Sequence, residues 1–361
     1  MTLQLYIFRQ LLLGTAFATG GMAFVAIPGM VINAVHKLGG VGMRAALGYL
    51  PLVFIELVPY LLPIGFLLTV VATYGRLAAD HEWSAMSMAG FSPLRLSMPA
   101  IVVALLMGGG TYYLVSSFSP GMRYAKRNYI RSTVVDGLKR VAPGKTKLNF
   151  PGTEFYLSAR WREKEGDQAF RDVLIHIPTE EEEVAAEGQT IRADWLTIHF
   201  EDNDMVIRMR EARRMYGGQD TQVGQLTLRR SMDEIFKVKQ KRRSWKYQTS
   251  GRLREMIEDG EIPEDEVRAA HFEVHKRYAT GMTCLLFVLL GIPTGLLLRS
   301  GTQLGALAAA VGYALLYYLL SMRMGRALGE SGIVPVWVGA WSTTLLLAIW
   351  GLILARKAMF R

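Results

Sequence analysis

The chain has 361 residues, 51% of them hydrophobic, and carries 41 Lys and Arg against 31 Asp and Glu, a formal charge of +10. Its mean hydropathy is +0.20, and its apolar residues gather at the two ends around a polar middle, 119–276. That excludes an ordinary soluble globule. The positive charge comes without a basic strip interleaved with aromatic residues, so nucleic acid is excluded as its reason; membrane faces and the polar middle account for it better. The single cysteine, Cys284, lies inside an apolar run, so no intrachain disulfide can form.

A membrane-spanning helix needs about 20 mainly apolar residues. Six segments meet that length: 11–32, 50–72, 98–118, 279–298, 304–324 and 334–355. Charged side chains are almost absent inside them, as expected when each costs about 2.5–3.5 kcal/mol at mid-membrane. Gly14, Gly20, Gly21, the run 108–110, Gly305 and Gly312 allow close helix packing or a movable seam. Only Arg9 precedes the first apolar run, and no small-x-small cleavage pattern follows it. The segment therefore reads as a retained span. An even number of spans puts both termini on one side. Arg9, Arg76, Arg95, Arg299, Arg356, Lys357 and Arg361 fall on one face, and Lys37, Arg44, Arg323 and Arg326 on the other. This modest bias places the termini in the cytoplasm and the polar middle outside the inner membrane.

The stretch 74–95 between spans two and three, YGRLAADHEWSAMSMAGFSPLR, carries a short helix pattern. Ala79, Trp83 and Met86 fall at i, i+4 and i+7, one helical face. Asp80 and Glu82 are expected in the first turn, where the helix dipole favours anions, and Gly90 and Pro93 supply a stop. An acidic helix with one apolar face suits docking into a partner's groove. An amphipathic connector lying on the membrane surface fits the same pattern.

Glu56 is the one carboxylate well within a span. An intramembrane acid is a functional hypothesis by default, but its place near the outer end also allows a structural role. His36 and Lys37 end the first span, and Arg323 and Arg326 end the fifth on the same side. If those helices are neighbours, four cations sit at head-group level above an apolar groove, which suits an amphiphile with an anionic head and acyl tails. Interfacial anchoring is the alternative use of such residues.

The middle divides in two. Period-two runs at 147–161, 169–178, 190–200, 205–216 and 225–230, separated by turn signals, predict an all-β sandwich or open barrel. The acidic block 180–183 reads as a solvated loop. The basic run 237–246, KVKQKRRSWK, reads as a solvated linker or a contact for anionic head groups. Residues 250–276 then predict a polar helix-turn-helix broken at Gly260 and Pro263.

No catalytic constellation emerges. The segment 142–146 contains GKT, but Lys139 stands where a phosphate-binding loop needs glycine, and a strand pattern follows. His271 and His275 have the i, i+4 spacing of zinc ligands without a third ligand nearby, and His81-Glu82 lacks the second histidine of HExxH. No cofactor, no metal and no nucleotide site of its own are expected.

Several stretches together resemble a known family. They are GRLAADHEWSAMSMAGFS (75–92), EVHKRYATGMTCLLFVLLGIPTGLLLRSG (273–301), GYALLYYLL (312–320) and LGESGIVPVWVGAW (328–341). With the layout of three spans, β-domain and three spans, they resemble the lipopolysaccharide-export permeases LptF and LptG. The resemblance implies a membrane α-helical bundle of six transmembrane helices, with a periplasmic all-β jellyroll-like domain inserted between helices 3 and 4. The expected parts are helices 1–3 at 1–118 with a cytoplasmic coupling helix at 77–89, the jellyroll-like domain at 119–250, a helical linker at 251–278 and helices 4–6 at 279–361. It implies a multi-pass inner-membrane subunit of an ATP-driven exporter that takes lipopolysaccharide from the inner membrane and passes it to a periplasmic β-domain bridge. Its partners would be a cytoplasmic LptB-like ABC ATPase, a paralogous permease forming a heterodimer, an LptC/LptA-like bridge protein and the lipid itself. Glu82 matches the acidic coupling-helix residue, and Arg76, Asp80, Trp83 and Met86 complete the expected ATPase-coupling set. His36 and Lys37 lie where the family's first span meets lipid phosphates, and Arg323 and Arg326 complete the expected lipid-contact set. An ion-driven secondary transporter and a non-transporting anchor for the β-domain remain the competing readings.

Overall fold

The computed structural model describes residues 2–38, 43–140, 146–149, 156–162, 168–177, 189–201, 204–216, 219–231, 247–298, 303–330, 332 and 334–359. The GKT loop before Thr146, the acidic block 180–183 and the basic run 237–246 lie outside them. The chain divides into two compact units: 1–27, 53–124 and 244–361 form one, and 28–52 with 125–243 form the other.

The helical elements in chain order are α1 (Thr2–Leu38), α2 (Met43–Ala79), α3 (Glu82–Met88), α4 (Pro93–Tyr113) and α5 (Ser119–Arg140), then, after the sheet, α6 (Ser250–Glu258), α7 (Glu264–Leu297), α8 (Gln303–Leu320), α9 (Arg326–Glu330) and α10 (Val336–Met359). Single π turns, Leu114–Phe118 and Ser321–Gly325, join α4 to α5 and α8 to α9. Six helices are long and apolar enough to cross a membrane: Leu3–Val35, Leu47–Ala79, Pro93–Arg123, Glu264–Leu297, Gly305–Gly329 and Val336–Ala358. Each overlaps one apolar segment of the sequence and exceeds it, because helical backbone continues through polar residues after the apolar run has ended. Residues 264–278, expected as part of a separate linker, are the first half of α7. Pro263 precedes its first turn, and Glu264, Asp265 and Glu266 lie where the dipole favours acids. Likewise residues 119–140, expected within the β-domain, are helical, and the strands begin at Thr146.

In the helical unit α7 is central. Its apolar window is 67% buried, against 17–39% for the other five spans. One cluster joins it to α1, α2 and α4 through Leu11, Phe66, Val70, Val103, Cys284 and Val288. A second joins it to α2, α8 and α10 through Leu67, Phe287, Leu290, Ala310, Tyr317 and Leu347. Glycines set the closest crossings: a Cβ on Gly281 of α7 would stand 2.8 Å from the Tyr112 Cβ of α4, and one on Gly295 would stand 2.8 Å from the backbone of Val71 and Gly75 on α2. Small residues let helix backbones approach where lipid gives no hydrophobic drive for association. The opposite faces of α8 and α10 leave Leu315, Leu319, Ile349 and Leu352 exposed, as suits hydrocarbon or another subunit.

In the other unit six strands, β1 (Thr146–Asn149), β2 (Tyr156–Arg162), β3 (Gln168–Ile177), β4 (Gln189–Glu201), β5 (Asp204–Tyr216) and β6 (Gln219–Ser231), form one antiparallel sheet. They pair in chain order, so the described strands make a meander. The Greek-key crossings that define a jellyroll are not among their connections. In β3, β4 and β5 the two-residue alternation of buried side chains slips by one: Phe170 to Val173, Ala193 to Leu196 and Met209 to Ala212. The slips lie side by side across β3, β4 and β5, as the pairs Arg171↔Trp195 and Trp195↔Arg210 show. Asp172 (φ 48°) and Glu211 (φ 54°) take left-handed backbone there, and the β5–β6 register shifts between Met209 and Ala212. The β5–β6 shift is a bulge, a feature that bends and twists a sheet locally.

Candidate functional site

The connection between the second and third spans is built from two reversals and a short helix. α2 ends at Ala79. Asp80 N–H still donates to the Arg76 carbonyl at 2.9 Å, and His81 turns left-handed at φ 60°. Asp80 therefore lies in the turn before α3, and Ala79 belongs to α2. The sequence pattern had placed both residues with the short helix. Glu82 opens α3, in the first turn as expected. At the far end Gly90 is left-handed at φ 89°, its N–H donates to the Ser87 carbonyl at 3.1 Å, and Phe91 N–H reaches the Met86 carbonyl at 3.2 Å. This pair of bonds closes a helix in the manner of a Schellman cap. Ser92 Oγ then accepts from Arg95 N–H at 3.4 Å, and Pro93 starts α4.

The apolar side of α3 faces its own protein. Trp83 and Met86 pack on the α1–α2–α4–α7 cluster beside Leu3, Phe8 and Ala358. Trp83 meets the buried Tyr74 ring edge-on, with centroids 6.0 Å apart at 70°. The Tyr74 hydroxyl donates to the Leu96 carbonyl at 2.9 Å and so ties α2 to α4 underneath the connection. What the connection exposes is different: Asp80, His81 and Glu82, then Met88 at 83%, Phe91 at 41% and Leu94 at 65%. Sequence periodicity missed these three apolar residues because Met88 lies off the inward stripe of α3, and Phe91 and Leu94 follow that stripe across a chain reversal. For Phe91 and Leu94 the signal that would have found them is Gly90, after which the helical phase restarts. Both chain ends, through Leu3 and Ala358, lie in the cluster that holds α3.

Arg76, expected to face the ATPase, sits in the last turn of α2 and reaches sideways. Its Nη2 donates to the Tyr6 hydroxyl at 3.0 Å and to Gln10 Oε1 at 2.9 Å, both on α1. The four cations expected at the outer ends of the first and fifth spans divide between the two units. His36 and Lys37 belong to the last turns of α1, in the unit that holds the sheet. Arg323, inside the second π turn, and Arg326, opening α9, are exposed in the helical unit. Glu56 pairs with Arg123 at 3.5 Å, joining the second span to the third. His271 and His275 occupy successive turns of α7, and among the described residues no three His, Cys, Asp or Glu side chains converge as metal ligands.

Sequence reasoning gave no role to Arg277, which is 1% exposed on α7. Its Nη1 donates to the Gln248 carbonyl at 2.9 Å and to Ser250 Oγ at 3.2 Å, while Nε faces Glu273 at 3.5 Å. A buried guanidinium thereby fixes the start of α6, where the chain returns from the sheet, to the middle of a span. Arg268 bonds the carbonyls of Gly329 and Val334 and holds the turn between α9 and α10.

A family model described as lipopolysaccharide export system permease LptF/LptG matches residues 5–357. No curated protein matches the chain. Because the family match runs through both sets of spans and the sheet between them, the chain belongs to the LptF/LptG family, as a multi-pass inner-membrane permease subunit of lipopolysaccharide export that is not itself an enzyme.

Proposed function

We propose that this permease is one half of a heterodimer driven by a cytoplasmic LptB-like ABC ATPase, and that the ATPase seats on residues 80–94. The observation that carries this is the split character of the connection: Trp83 and Met86 grip the chain's own spans, while Asp80, Glu82, Met88, Phe91 and Leu94 face outward. A push on the outward face passes through Trp83 onto Tyr74, and through the Tyr74–Leu96 bond into α2 and α4 together. Arg76 acts one turn deeper, carrying displacement of α2 to α1 through Tyr6 and Gln10.

In this reading the α3 end is cytoplasmic, the sheet is periplasmic, and lipopolysaccharide enters from the outer leaflet at the opposite end of the spans. His36, Lys37, Arg323 and Arg326 meet its phosphates, and the sheet hands the lipid to an LptC/LptA-like bridge. Exposing acyl chains to water costs about 0.8 kcal/mol per methylene, which calls for an external energy source. Glu82→Arg is expected to abolish lipid-stimulated ATP hydrolysis by the reconstituted complex while the chain stays folded in detergent. Full stimulation in that variant removes Glu82 from the coupling.

A further inference from the structure

We propose that a cleft at the α3 end of the helical unit binds a glycerophospholipid of the adjoining leaflet, with its phosphate on Arg76 and an acyl chain along α2. The cleft lies between α1, α2 and the start of α8 and has a volume of about 480 Å³. It is polar at one end only. There the Arg76 Nη2 is held by Tyr6 and Gln10 and its Nε is buried without a hydrogen-bond partner, while the charges of Asp80 and Glu82 reach the guanidinium through space. The wall deeper in the membrane is made of Gly14, Ala18, Leu68, Ala72, Ala306 and Leu307. The Thr69 hydroxyl on that wall is already bonded to the Gly65 carbonyl at 2.8 Å, so it offers the cleft little polarity.

A cation at the membrane boundary with hydrocarbon walls beneath it has the chemistry of an amphiphile site, and basic pockets between spans bind lipid head groups in this way. From Leu68 to Arg76 the cleft follows α2 for about 12 Å at 1.5 Å per residue, so a head group on Arg76 has room for part of an acyl chain beneath it. The site borders the start of α8, the end opposite Arg323 and Arg326, so its lipid differs from the exported one, and the inference does not depend on where the ATPase docks.

The test uses the full chain in its purified complex, in proteoliposomes, with phosphatidylglycerol and diacylglycerol that each carry a mid-chain diazirine. On peptides covering Gly14 to Ala18 and Leu68 to Ala72, phosphatidylglycerol should label about tenfold more than diacylglycerol, the factor that one charge-assisted hydrogen bond carries. Arg76→Gln should remove the excess by taking the cation away. Ala72→Trp should remove it by filling the cleft while leaving the Arg76 bonds to α1 intact. Around the exposed Ile349 and Leu352 of α10 the two probes should label alike in every variant. Equal labelling by both probes in the cleft, or an excess that survives both substitutions, overturns the proposal. So does competition by free inorganic phosphate, which would make the site a reader of phosphate alone, and so does disulfide trapping of Ala72→Cys to a second membrane subunit with no lipid label.

Discussion

Trp83 and Met88 lie five residues apart in and at the end of one short helix, and truncating each should give opposite results. Trp83 is half-buried on the cluster shared by α1, α2, α4 and α7 and meets Tyr74 edge-on. Full burial makes a Trp→Ala change cost about 3–5 kcal/mol, so half-burial puts Trp83→Ala at about 1.5–2.5 kcal/mol. That cost falls locally, because a seven-residue helix is not stable without the surface it packs on. Amide exchange across α3 should accelerate about 10- to 70-fold, with little change in the central spans. Met88 is 83% exposed, so Met88→Ala should leave exchange unchanged and the chain's stability within about 0.5 kcal/mol. If the ATPase seats on the outward face, its dissociation constant should rise about 5- to 30-fold, the effect of losing 1–2 kcal/mol at one apolar contact. The assays are hydrogen exchange on the isolated chain in detergent and titration of the ATPase subunit. Faster exchange in Met88→Ala with none in Trp83→Ala would refute the assignment of inward and outward faces.

Other substitutions probe the remaining joints. Gly281→Leu drives a side chain into Tyr112, where a single Cβ already stands 2.8 Å away. It should cost about 1–3 kcal/mol or more and be read as a lower unfolding temperature, while leucine at the open position Gly109 should cost far less. Arg277→Met removes the bonds to Gln248 and Ser250 and should cost about 2–3 kcal/mol, seen as faster amide exchange at 250–256. Glu211→Gly relieves a left-handed backbone at φ 54° and should stabilise the sheet by about 1 kcal/mol, read as slower exchange in β5 and β6. Replacing both Lys37 and Arg323 by Glu should weaken photocrosslinking of lipopolysaccharide to the complex; unchanged crosslinking returns these residues to interfacial anchoring.

The composition of this chain determined its class. Six apolar runs long enough to cross the hydrocarbon core of a bilayer, with a polar block between the third and fourth, leave a membrane bundle with an insert as the economical solution, and period-two runs made that insert a sheet. Gly90 and Pro93 likewise marked the end of α3, because both restrict the backbone locally. Tertiary structure decided which side of each element does what. Left-handed His81 broke the helical phase between Ala79 and Trp83, so the stripe read as a docking face is a packing face. Arg76 turned towards α1 because Tyr6 and Gln10 stand there, 70 and 66 residues earlier in the chain. The slip in alternation shared by β3, β4 and β5 lines up only when the three strands pair, which no single strand's pattern reveals. Periodicity and propensity are local quantities carried by a few consecutive residues. The direction a face turns depends on partners supplied from distant parts of the chain, and those meet only in the folded protein.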